Sequence, residues 1–376
     1  MIRIPFYRHD LGGPELEEMA RVLAQPILTT GEFVETFERR FAELLGVPHA
    51  IGVNSCTGAL HMALLALDIG PGDEVITTPL TFIATPAAIW EAGATPVFVD
   101  VEPDTGNLDA ARVDAAITPR TKAIMPVHLY GQMCDMAALR TIADRHNLAI
   151  IEDCAHCVEG ERDGIRPGQV SEAACFSFFA TKNLACGEGG ALVCNDAGLD
   201  RRFRLLRLHG MDKDANDRHR DGYSHWDMVE LGWKYNMSNV EAALLLPQMD
   251  RLAVKLERRE RLAARYDALI DAIPGVARPA VLPGRHARHL YTIQVDQRDR
   301  VLVELQKAQV EVVVNFRAVH LFSYPRRRLG HQPGDFPIAE AIGDRCLSLP
   351  FYPHMPEDYV DMTCERLAGI MASLKR

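Results

Sequence analysis

No stretch of this chain reaches the roughly 18 consecutive apolar residues that a membrane-spanning helix needs. The opening residues, MIRIPFYRHDLGG, hold no apolar segment of the signal-peptide kind. The expectation is therefore a cytoplasmic protein with no membrane contact. A basic excess is missing too: 41 Lys and Arg stand against 51 Asp and Glu, a net charge of −10. That removes the electropositive footprint of a nucleic-acid binder. It leaves room for a small anion, because backbone N–H groups can seat a phosphate in an acidic protein. The nine cysteines are odd in number and follow no framework spacing, which argues for reduced thiols. There is no Gly-x-x-x-x-Gly-Lys phosphate loop, no internal repeat and no low-complexity tract.

What is present is ordinary in bulk and regular in pattern. The 376 residues are 48% apolar and 24% charged, enough for a large core and, by length, for two domains. Short apolar runs recur at 49–53, 74–78, 95–100, 122–128, 148–153, 174–178 and 190–194, with amphipathic stretches such as 57–69 and 135–147 between them. Runs that are apolar at successive positions predict strands covered on both faces. Their alternation with helices predicts an α/β doubly wound, mostly parallel sheet. The run at 190–194 follows 174–178 too closely for a full helix, so one strand is expected to be antiparallel. Helices are predicted at 14–25, 32–46 and 238–272, the last with a Ser238/Glu241 capping box and a kink or division at Pro247. The domain boundary is placed there: 1–250 as a large domain, 251–376 as a small α/β domain with strands at 289–295 and 310–316 and helices at 299–308, 338–345 and 357–374.

In open α/β sheets ligands bind beyond the carboxyl ends of the strands. Asn54-Ser55-Cys56-Thr57-Gly58 follows the first run and opens a helix, an arrangement suited either to an anion or to a plain helix cap. Phe82 follows the second run, as a ring cover or a core aromatic. Asp153 ends the fifth run with His156 three residues on, and a carboxylate there is costly to bury unpaired. Lys182 sits among small residues after the sixth, ahead of Gly187-Glu188-Gly189-Gly190. An anion seat, a flat aromatic, a buried acid and an enclosed lysine are together what pyridoxal phosphate requires. Burial also makes the lysine a better imine-forming amine and proton carrier.

The segments ILTTGEFVETFE (27–38), NSCTGALHMAL (54–64), GDEVITTPLTFIAT (72–85), PVHLYGQMCD (126–135), IEDCAHCVEG (151–160), FSFFATKNLACGEGGALV (176–193), GWKYNMSNVEAA (232–243) and CLSLPFYPHM (346–355) resemble, in order and over nearly the whole chain, the DegT/DnrJ/EryC1/StrS sugar-nucleotide aminotransferases. The resemblance implies the type I pyridoxal-phosphate transferase fold, with a mixed, mostly parallel seven-stranded sheet and a smaller C-terminal α/β domain. It implies pyridoxal 5'-phosphate as cofactor, with a pyridoxamine 5'-phosphate form. It implies Lys182 as the Schiff-base lysine, Asp153 on the pyridine nitrogen, Phe82 and His156 about the ring, and Ser55, Cys56, Thr57 and Ser177 at the phosphate. Asn236 would reach the cofactor of a neighbouring subunit in a homodimer. Thr30, Asn315, Arg317 and His320 are substrate candidates, with His209 and Lys213 weaker. WKYN, the GEGG turn and FRAVH at 316–320 are most similar to enzymes that aminate the 4-keto position of UDP-sugars with glutamate as donor, although Asn315 stands where some of those relatives carry His.

Other readings compete. Cys154, His156 and Cys157 could begin a zinc or redox site, but zinc wants four convergent ligands, and buried packing thiols are common. Lys182 argues against a dehydratase, which has His in its place, and Cys186 is the only tempting cysteine for a desulfurase. A cofactor-binding regulator without turnover, or an aminotransferase for a non-nucleotide ketone or aldehyde, also fits the sequence.

Overall fold

The computed structural model describes residues 2–213 and 225–374. Seven strands form the main sheet: β1 His49–Val53, β2 Glu74–Thr77, β3 Thr95–Phe98, β4 Thr121–Met125, β5 Ala149–Asp153, β6 Ala173–Ser177 and β7 Gly190–Cys194. Their order is β1-β7-β6-β5-β4-β2-β3. β3, β2, β4, β5 and β6 run parallel, whereas β7 is antiparallel to both of its neighbours. All seven coincide with the apolar runs to within a few residues, and the short β6–β7 connection produces the reversed strand. Both faces are covered: Ile51, Ile124, Ile150, Ile151 and Leu192 are fully buried, each contributing about 1.5–3 kcal/mol relative to exposure.

Gly190, the first residue of β7, is where strand and helix meet most closely. A Cβ there would lie 2.7 Å from the backbone nitrogen of Cys56 and 2.5 Å from the carbonyl carbon of Ser55. No side chain fits, so glycine lets β7 lie against the start of helix Cys56–Ala66.

The predicted helix at 238–272 is two helices, Asn239–Asp250 and Leu252–Ile270. The capping box at Ser238 is present: the Glu241 N–H donates to its hydroxyl at 3.2 Å, and the Ser238 N–H donates to the Glu241 carboxylate at 2.6 Å. Pro247 lies within the first helix, and the break falls at Arg251 (φ −103°, ψ 1°). There the N–H bonds three residues back, to Gln248.

A second core forms on helices Leu252–Ile270, Arg298–Lys307 and Glu357–Leu374 and on a three-stranded antiparallel sheet. Its strands are β8 Val276–Ala277, β9 Tyr291–Val295 and β10 Cys346–Leu349, in the order β10-β9-β8. The strand expected at 310–316 is not a continuous one. Val310 bridges Ile4 and Val313 bridges Ser348, so the segment divides its hydrogen bonds between two partners before turning toward the main sheet. The N-terminal segment thereby joins this core: Ile4 is fully buried in it, the Phe6 N–H donates to Glu311 at 2.9 Å, and the Phe351 N–H donates to the Phe6 carbonyl at 3.2 Å.

Candidate active site

At the carboxyl ends of β5 and β6, beside the start of helix Cys56–Ala66, lies a cavity of about 440 Å³. Ser55, Cys56, Thr57, Phe82, Asp153, His156, Ser177, Lys182 and Asn315 all line it, from segments more than 250 residues apart in the chain. Each arrives for a local reason. Ser55 is the N-cap, and its hydroxyl accepts from the Gly58 N–H at 3.0 Å. That leaves the N–H groups of Cys56 and Thr57 in the first turn without a protein acceptor among the described residues. Free donors at the positive end of a helix are a seat for a phosphate. Ser177 ends β6 and brings a second hydroxyl to the cavity.

Asp153, the last residue of β5, is buried. Its Oδ2 accepts from the Thr85 hydroxyl at 2.8 Å and its Oδ1 from the Ala155 N–H at 3.1 Å. Thr85 is itself 2.8 Å from the Thr81 hydroxyl, so a chain of two threonines backs the acid. Burial raises the Asp153 pKa above the ordinary carboxylate range, and the Thr85 and Ala155 hydrogen bonds work against that rise. Lys182 enters from the loop after β6, with its pKa lowered to about 8 because burial disfavours the ammonium. His156 is buried and accepts from the Tyr130 N–H through Nδ1 at 3.3 Å. Burial and the nearby lysine push its pKa well down, so the ring is neutral. Phe82 is 56% exposed despite its size. Its ring lies 5.9 Å from that of Phe316, which in turn stacks on His156 at 5.7 Å.

An acid at one end, free helix N–H groups and a hydroxyl at another, neutral aromatic faces and an amine of lowered basicity fit a phosphorylated pyridine aldehyde. Residues 10–368 match the DegT/DnrJ/EryC1/StrS aminotransferase family. The chain belongs to that family. The aminotransferase is 42% identical, over 98% of its length and 97% of the relative's, to the spore coat polysaccharide biosynthesis protein SpsC of Bacillus subtilis. It is 41% identical to the GDP-perosamine synthase of Caulobacter vibrioides, covering 92% of each chain. Its fold is shared with Spr1654 of Streptococcus pneumoniae, solved in a PLP form, at a TM-score of 0.92 and 29% identity over 99% of this chain and 100% of that one. This is a pyridoxal-phosphate-dependent sugar aminotransferase, and its sheet is that of the family.

Other expected residues of the aminotransferase lie outside this cavity. Asn236 and Thr30 line a second one of about 400 Å³, with Glu38, Arg204, Arg207 and Lys213. There Asn236 donates to the Thr29 carbonyl at 3.2 Å and accepts from Lys234 at 2.6 Å. His209 is exposed, and its N–H bonds to the Trp233 carbonyl. Arg317 and His320 do not line the Lys182 cavity. Arg317 lies over the Phe322 ring at 5.9 Å. His320 is fully buried, 3.0 Å from Glu340 and edge-on to Phe336, because the turn at Val319–Leu321 carries it toward helix Pro337–Arg345. Asn315 does reach the cavity, and its buried Oδ1 has no hydrogen-bond partner among the described residues.

The CAHC run resolves into separate roles. His156 faces the cavity, the Cys157 thiol donates to the Gly131 carbonyl at 3.5 Å, and Cys154 is packed in the core beside β6. Among the described residues, the group of three metal-capable side chains is His128, Glu152 and Cys154. Glu152 there accepts from the Gly168 N–H at 2.8 Å and from Ser171 at 2.5 Å, and His128 Nε2 lies 2.7 Å from it. The residues that the sequence did not point to include Thr85, His289, Phe316 and Phe6. Thr85 closes the quoted motif GDEVITTPLTFIAT, and His289 opens an apolar run that reads as plain strand.

Proposed function

We propose that this aminotransferase places an amino group on the 4-keto carbon of a UDP-linked sugar, with glutamate as donor, in the making of a cell-surface glycan or amino sugar. The observation that carries the reading is the convergence of Lys182, Asp153 and the free N–H groups of Cys56 and Thr57 on one cavity, with an unpaired acceptor, Asn315 Oδ1, left over beside them. That acceptor suits a sugar hydroxyl or an ammonium, since a buried polar atom without a partner costs about 1–3 kcal/mol until a ligand satisfies it.

When bound, pyridoxal phosphate supplies an aldehyde that carries the amino group and a ring that takes up the electrons released at the donor's α-carbon. Asp153 holds a proton at the ring nitrogen, and the Thr85 hydroxyl orients it. The N–H groups of Cys56 and Thr57, with Ser55 and Ser177, hold the phosphate. Phe82 and His156 would flank the ring. Lys182, a partly neutral amine, would take the proton from the donor's α-carbon and pass it to the carbon that carries the amino group, and would make the reverse transfer for the keto sugar.

The functional unit is a homodimer, in which Asn236 of each chain serves the cavity of its partner. Support comes from its position on the second cavity and from Trp226, Met228, Val229 and Leu231 nearby in the chain, all exposed. Nine free, buried thiols favour a reducing, cytoplasmic setting. A GDP-linked sugar is the second reading, favoured by the 41% identity to a GDP-perosamine synthase.

The test is turnover on a panel of UDP-, dTDP- and GDP-linked 4-keto sugars with glutamate, following 2-oxoglutarate. Fastest turnover on a UDP sugar is expected. Preference for GDP replaces the nucleotide, and turnover only on free ketones or aldehydes sinks the nucleotide-sugar reading. For the dimer, mixing inactive Lys182→Ala and Asn236→Ala chains should restore activity beyond that of either alone.

A further inference from the structure

The only side-chain partner of the Lys182 amine among the described residues is His289, whose Nε2 lies 3.5 Å from Nζ. His289 comes from the second core's side of the chain, just before β9, and is 6% exposed. Its ring stacks on His156 at 4.6 Å and 29°. The backbone holding it is fixed at several points. The His289 N–H donates to the Tyr130 carbonyl at 3.2 Å, and the Ala287 N–H donates to Gly131 at 2.8 Å. Asn183, next to the lysine, donates to the Ala287 carbonyl at 2.7 Å. Arg288 and Tyr130 both sit at positive φ, 50° and 59°. Non-glycine residues adopt that region at a cost, and such positions cluster where a side chain must be aimed. Here the turn at Arg288 delivers His289 to the lysine, and the turn at Tyr130 delivers its N–H to His156.

We propose that His289 is a positioning residue of the transamination: its Nε2 accepts a hydrogen bond from the Lys182 amine whenever that amine is free, fixing where the amine collects and delivers its proton. The proposal rests on the aminotransferase chemistry and is independent of which sugar is aminated. A neutral imidazole suits the role, because it accepts without competing for the proton. Burial, with Lys182, His156 and Arg259 nearby, drives the His289 pKa well below its ordinary value. Lys182 also faces Asp153 on β5 and the Cys56 thiol at the helix start, and both act to raise its pKa. An accepted hydrogen bond stabilises the ammonium more than the amine. Losing the acceptor therefore lowers the lysine pKa further.

The experiment reads Lys182 directly in cofactor-free protein, as the pH dependence of its labelling by an amine-specific reagent, quantified on the peptide. His289→Phe keeps a buried, stacked ring and removes the acceptor; His289→Gln restores an acceptor oxygen. We expect His289→Phe to move the half-labelling pH down by about one unit, a tenfold change in the proton equilibrium. It should lower kcat by about 10- to 100-fold, within the range of a lost proton-transfer contribution, with the donor KM nearly unchanged. His289→Gln should recover most of the labelling shift. Identical curves for wild type and His289→Phe, or a His289→Gln curve matching His289→Phe, overturn the proposal. Should His289→Phe not fold, the ¹⁵N resonances of His289 in the unaltered cofactor-free protein decide: they should shift as Lys182 titrates, and constancy through that titration overturns it. Failure of the sugar panel leaves the labelling result untouched, and the converse holds.

Discussion

Two cavities of nearly equal size, about 440 and 400 Å³, treat charge in opposite ways. Around Lys182 the charges are undersupplied with partners. Among the described residues the Lys182 amine has only an imidazole as hydrogen-bond partner and the Asp153 carboxylate only a hydroxyl and an N–H, and neither forms an ion pair. Around Glu38 they are saturated. Glu38 is paired with Arg204 at 2.8 Å and with Arg207, and also accepts from the Gly52 N–H at 2.8 Å. Burial alone would raise the Glu38 pKa, but Arg207 and Arg204 outweigh it and hold the carboxyl below its ordinary range. A saturated network holds its groups in the charged form, whereas an undersupplied one leaves proton affinities shifted toward the neutral form and available to a ligand. Volume does not separate the two; the inventory of partners does.

The contrast can be broken by substitution. Lys182→Ala should abolish transamination, by about 10⁴-fold or more, since covalent and proton-transfer roles are lost together; 2-oxoglutarate formation checks it. Asp153→Ala should lower kcat by about 10²–10³-fold, as for loss of one aimed electrostatic partner, with a far smaller loss of cofactor affinity by equilibrium dialysis. Glu38→Gln should do the reverse, leaving kcat per folded molecule within about threefold while lowering stability by about 2 kcal/mol in urea titration. That is below the 3–5 kcal/mol of a fully buried pair, because the Arg204 side chain is 39% exposed. The sign in pH follows from the lowered pKa. The Glu38 contribution is present at neutral pH and lost as pH falls through the folded-state value, so the variant should lack that acid-side loss. Thr85→Val is the finest test: without this hydrogen bond the Asp153 pKa rises further, so the acid limb of the pH–rate profile should move to higher pH, with about tenfold less activity below neutrality.

The main sheet was readable because its strands are buried on both faces and so are written as continuous apolar runs. The second sheet was harder. Residues 310–316 carry a strand's composition yet divide their hydrogen bonds between Ile4 and Ser348, while β10, CLSL, is too short for its period to declare itself. Within the site, the position of Lys182, Asp153 and the turn at 54–58 beyond strand ends was readable from the apolar runs before them, while their roles rested on the family resemblance. His289 and Thr85 were not readable, because their service depends on partners more than 60 residues away in the chain. That Arg317 and His320 do not line this cavity was equally unreadable: a three-residue turn decides which way this stretch faces, and no local pattern records it.

The pairing of Ile4 with Val310 has a practical side. Phe6, two residues on, belongs to the wall around Lys182. Trimming the first handful of residues, a liberty often taken when a gene is shortened for expression, would unseat a buried isoleucine and breach the reaction chamber at once. Every reacting group would survive, and the resulting clone would be mistaken for chemically dead.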